Sequence, residues 1–84
     1  MKITKKKTIN KFRLETGTEI QELRIAMVLT QQALSKKAGI SQSNISKIEA
    51  GSKGITLEDY TKIMHVFGLD VSLAVLPKKF KDYT

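Results

Sequence analysis

The side chains best suited to chemistry in this chain are amides, hydroxyls and an ammonium group gathered in "SQSNISKIEA", Ser41 to Ala50. Gln42, Ser43, Asn44 and Lys47 supply donors and acceptors, while Ile45 and Ile48 form an apolar stripe at helical spacing for the opposite side. That leaves Ser43, Ser46, Lys47 and Ala50 facing away from the core. A surface helix is usually solubilised by a mixture of Glu and Lys, which this face lacks. Gln and Asn amides can pair bidentately with adenine, and a Lys ammonium can reach guanine acceptors in the major groove. The expected chemistry is recognition of base edges by Gln42, Ser43, Asn44 and Lys47.

Bond-making chemistry has no comparable support. His65 is the only histidine and falls beside core positions of its segment, where an ordinary packed or half-exposed side chain is the simpler reading. There is no cysteine, no Gly-rich phosphate loop before a helix, and no carboxylate–histidine cluster at metal-ligand spacing. We therefore expect no catalytic residue, no metal site and no cofactor.

Placing the polar face requires a tight pair of helices. Thr30 can cap a helix over Gln31–Ala38, in which Leu34 and Ala38 point inward, and Gly39 supplies the left-handed position that ends it. Ser41 caps the next helix. A turn as short as Gly39 to Ser41 cannot fold two helices back antiparallel, so they must cross steeply, as in a helix-turn-helix unit. In such units the second helix enters the groove while the first crosses the backbone, which points Gln31 at a phosphate. Ser41, Ser46 and, from the loop "GSKG", Ser52 and Lys53 are further candidates for phosphate.

Around this pair the chain reads as one mainly α domain. Thr16 or Thr18, each followed three residues later by Glu19 or Gln21, suggests a first helix carrying Ile20, Leu23 and Met27 on one face. Thr56 with Asp59 opens a fourth, with Leu57, Tyr60, Ile63, Met64 and Phe67 facing the core and Gly68 stopping it. In "LDVSLAVLP" apolar Leu69, Val71, Leu73 and Val75 alternate with Asp70, Ser72 and Ala74, a strand pattern ended by Pro77. The boundaries expected are a basic N-terminal arm over 1–15, a domain over 16–76 with its strand at 70–76, and a charged tail over 77–84. The arm reads as a solvated terminus, a DNA-contacting segment or an interface strand.

Composition agrees with a polyanionic partner. The 84 residues hold fifteen Lys and Arg against eight Asp and Glu, a formal net charge of +7, and the pI is about 9.8. One small domain without disulfides is only marginally stabilised by its own core, so burying surface in a dimer would help. The basic start "MKITKKKTINKF" has no apolar stretch behind it, and no run is long enough to span a bilayer, so a cytosolic protein with no membrane partner is expected.

The segment from Leu23 to Leu76 resembles the XRE family, the Cro and phage-repressor type of helix-turn-helix domain. Its pattern appears here as Thr30-Gln31, Leu34, Gly39, Ser41, Ile45-Ser46, Glu49 and Gly51, with Ser35 where the family usually has Ala. The resemblance implies a lambda-repressor-like bundle of four helices binding double-stranded DNA. It implies Gln31 on a phosphate, Gln42, Ser43 and Lys47 on bases, Asn44 near the backbone or a thymine methyl, and a structural ion pair between Arg24 and Glu49. The ending is similar to HipB-like antitoxins, whose closing strand pairs with its twin. That likeness implies a homodimer held by Val71, Leu73 and Val75, an inverted-repeat operator, a toxin protein as a second partner, and a cytoplasmic, nucleoid-associated place in a bacterium. The alternatives are a regulator with no toxin, a protein-interaction module, and a strand that pairs with the arm of its own chain.

Overall fold

The computed structural model describes the backbone of residues 5–69 and the side chains of residues 11–69. That span folds into α1 (Lys5–Ala26), α2 (Gln31–Ala38), α3 (Gln42–Glu49) and α4 (Leu57–Val66). Among the described residues there is no strand. Val71, Leu73 and Val75, expected to form one, lie outside the described residues, as does the charged tail.

The three short helices begin where a hydroxyl satisfies a free backbone amide. Thr30 Oγ1 accepts from Ala33 N at 3.0 Å, Ser41 Oγ from Asn44 N at 3.2 Å and Thr56 Oγ1 from Asp59 N at 3.1 Å. Gly39 ends α2 at φ 71°, and its N–H, with that of Ile40, bonds the Ser35 carbonyl at 2.9 and 3.2 Å. Ser35 returns the contact, its Oγ donating to the Ile40 carbonyl. The departure from the family's usual Ala thus latches the α2–α3 turn and seats Ile40 in the core, where it is buried.

The core gathers Ile20 from α1, Leu34 and Ala38 from α2, Ile45 and Ile48 from α3, and Tyr60, Ile63 and Met64 from α4, with Phe67 at its end. Each fully buried Leu or Ile contributes about 1.5–3 kcal/mol. α3 packs against both α1 and α2, and α2 also packs against α4.

The start of α1 corrects an expectation. Neither Thr16 nor Thr18 caps it; the helix runs unbroken from Lys5, taking in most of the segment expected to be an arm. Phe12 and Leu23 pack on the core around the buried Thr16 and Ile20, so these four positions make the apolar stripe at helical spacing. Thr16 and Thr18 read as start signals because each precedes Glu19 or Gln21 by three residues, the pattern of a capping box. Both lie mid-helix, Thr16 buried and Thr18 exposed, with the small Gly17 between them facing the end of α3. Met27 also differs: α1 ends at Ala26, and Met27 is half-exposed in the turn that follows. The next residue, Val28, takes φ 57° and is 90 % exposed, and only Leu29 returns to the core.

Candidate nucleic-acid interface

α3 presents a divided surface. Ile45 and Ile48 are buried, whereas Gln42, Ser43, Ser46 and Lys47 are exposed and Asn44 is half-buried at their edge. Between Thr30 and Leu57 the sequence has one carboxylate, Glu49, against Lys36, Lys37, Lys47 and Lys53. That carboxylate is buried. The exposed side therefore carries amides, hydroxyls and a cation with no negative charge among them, a surface suited to a polyanion.

Glu49 would be unfavourable without a partner, since it is desolvated and stands at the negative end of the α3 dipole. Arg24 meets it bidentately, Nε on Oε2 at 2.7 Å and Nη2 on Oε1 at 3.0 Å. The hydrogen bond to Glu49 raises the Arg24 pKa above its ordinary value; partial burial opposes this, and the Glu49 charge adds to it. Arg24 Nη1 donates to the Leu29 carbonyl at 2.7 Å, and Gln31 Nε2 donates to Glu49 Oε1 at 3.1 Å. One carboxylate thus joins the end of α1, the turn after it, the start of α2 and the end of α3.

This junction also sets what Gln31 can do. Its amide nitrogen carries two hydrogens, so after the bond to Glu49 one N–H remains for an acceptor beyond the protein. The loop after α3 folds back on the helix: Ser52 N and Oγ both donate to the Lys47 carbonyl, at 3.0 and 3.2 Å. Lys53 Nζ donates to Asn44 Oδ1 at 2.8 Å, leaving the Asn44 amide hydrogens free of that bond. Ser41 is exposed, but its Oγ is occupied by the cap to Asn44.

The residue that lets this surface assemble was not singled out in the sequence. Gly17 lies in α1 against the carbonyl oxygens that close α3; a Cβ there would collide with Ile48 O and stand 2.8 Å from Glu49 O. Its signal is a single glycine between two candidate caps, Thr16 and Thr18, at a place where the helix in fact continues through.

A helix-turn-helix family model matches residues 20–73, more than half of the chain. The protein belongs to that family, in its XRE branch, which places it among DNA-binding regulators. No curated protein and no solved structure matches the chain. Among the described residues no helix is long and apolar enough to cross a membrane.

Proposed function

We propose that this protein is a sequence-specific transcriptional repressor that binds an inverted-repeat operator as a homodimer in the cytoplasm. The observation that carries the reading is the acid-free polar side of α3, with its one carboxylate buried against Arg24. In this reading Gln42, Ser43, Asn44 and Lys47 contact base edges. Gln31, Ser41, Ser46, Ser52 and Lys53 meet phosphates, Ser41 through its backbone N–H or the second lone pair of its capping oxygen. Two copies related by a two-fold axis set their α3 helices about 34 Å apart, one turn of DNA.

Electrophoretic mobility shifts against DNA upstream of the protein's own gene test the reading. Log affinity should fall linearly with log salt, by about 0.9 per phosphate neutralised. Gln42→Ala and Lys47→Ala should each cost about 1–3 kcal/mol in discrimination between operator and random duplex, whereas Gln31→Ala should weaken both alike. Absence of binding at low salt would overturn it.

The similarity of the chain's ending to HipB-like antitoxins adds that the repressor is the antitoxin of a type II pair and regulates its own operon. Co-expression with the product of the adjacent gene is the test. Relief of growth arrest supports the antitoxin role, and a harmless neighbour leaves a repressor without a toxin.

A further inference from the structure

The charge of this protein is not spread over its helix-turn-helix unit. Lys2, Lys5, Lys6, Lys7, Lys11 and Arg13 place six of the fifteen basic residues in positions 1–14, where there is no acidic residue at all. Everything after that carries nine basic against eight acidic residues, close to neutral. From Lys5 onward this basic segment is not a separate arm but the first turns of α1.

The same helix is fastened to the loop that flanks α3. A Cβ on Gly51 would stand 2.6 Å from Leu14 Cδ2, and one on Gly54 would stand 3.3 Å from Arg13 Nε and 3.7 Å from Nη2. The Arg13 guanidinium therefore rests on the Gly54 backbone, a place a side chain would fill. Gly54 follows Lys53, whose Nζ is bonded to Asn44 of α3. Two cationic side chains are thus carried by adjacent parts of one loop surface. The neighbours of Arg13 one helical turn away, Ile9, Asn10, Thr16 and Gly17, include no carboxylate to neutralise it. A guanidinium without a helical counter-charge, beside a loop that itself carries a lysine, favours an anion at that surface.

We infer that the N-terminal half of α1 is a second phosphate-binding element, with Arg13 contacting the DNA backbone beside Lys53. This rests on the DNA-binding reading above and extends it. Helical rise carries Lys5 about 12 Å beyond Arg13, enough to follow the backbone past the half-site that α3 reads. The contact is to phosphate, so it adds affinity and salt dependence without sequence preference.

Fluorescence anisotropy with a mixed-sequence duplex of about three helical turns, across a sodium chloride series, tests it. Arg13→Gln should lower the slope of log affinity against log salt by about 0.9, and Arg13→Lys should restore it. Lys62→Gln is the control, since Lys62 pairs with Glu58 on α4 at 3.4 Å and removes the same charge from another element. It should leave the slope unchanged. If Arg13→Gln fails to fold, as judged by circular dichroism, Lys6→Gln two turns earlier on α1 is read by the same criterion. A slope unaltered by the Arg13 or Lys6 change, or lowered equally by Lys62→Gln, overturns the inference while the repressor reading stands. A wild-type protein that binds no duplex overturns the repressor reading itself.

Discussion

Gly17 and Glu49 touch backbone to backbone: a Cβ on Gly17 would stand 2.8 Å from the Glu49 carbonyl oxygen and collide with that of Ile48. The long helix α1 crosses the end of α3 at this point with no side chain between them. In an exposed helix Gly→Ala stabilises by about 1 kcal/mol. Here the sign should reverse, because the methyl group meets backbone that cannot rotate away. Gly17→Ala is expected to destabilise by about 1–3 kcal/mol in chemical denaturation.

Thr16, beside it, has its Oγ1 buried with no hydrogen-bond partner among the described residues. Valine has the same shape without the hydroxyl. Thr16→Val should raise stability by about 1 kcal/mol, read as a higher melting temperature with the helical signal unchanged.

Arg24 and Glu49, with side chains 12 % and 2 % exposed, should be strongly coupled. Removing one partner leaves a desolvated charge, so Glu49→Ala and Arg24→Ala should each cost about 3–5 kcal/mol. The double variant should lose clearly less than the sum in a thermodynamic cycle. Because Glu49 also holds Gln31, Glu49→Gln should weaken DNA binding even where the protein remains folded.

Val28 is a β-branched residue in the left-handed region, and at 90 % exposure it gains little from burial. The conformation costs an L-residue about 1–2 kcal/mol, partly offset by the entropy a glycine adds to the unfolded chain. Val28→Gly should therefore stabilise by about 0.5–1 kcal/mol, measurable as a shift of the denaturation midpoint without change in slope.

Tyr60 links α4 to α1 by donating from its hydroxyl to Glu19 Oε1 at 2.6 Å. Burial first, then the hydrogen bond and the charge of Glu19, raise its pKa well above the ordinary 10. The folded state thus holds this proton more tightly than the unfolded chain. The associated stability is fully present below pH 10 and is lost as pH rises above it. Denaturation at a series of alkaline pH values should show that decline, and Tyr60→Phe should flatten it while lowering stability at neutral pH.

Much of the molecule follows from local chemistry. Thr30, Ser41 and Thr56 mark their helices because a hydroxyl before an apolar period satisfies an amide that nothing else can reach, a relation contained within four residues. Gly39 marks the turn for an equally local reason, its φ of 71°. The exposed composition of α3 follows from the spacing of Ile45 and Ile48, which decides its inner side. What only the tertiary structure decided are relations between residues far apart in sequence. Thr16 and Thr18 look like a helix start until α1 runs through both and Gly17 between them meets the end of α3. Gln31 looks free for a phosphate until Glu49 takes one of its hydrogens. Arg13 looks like part of a loose basic terminus until Gly54 leaves room for its guanidinium beside the loop that flanks α3. In each case the local pattern permits several conformations, and a contact made on packing selects one.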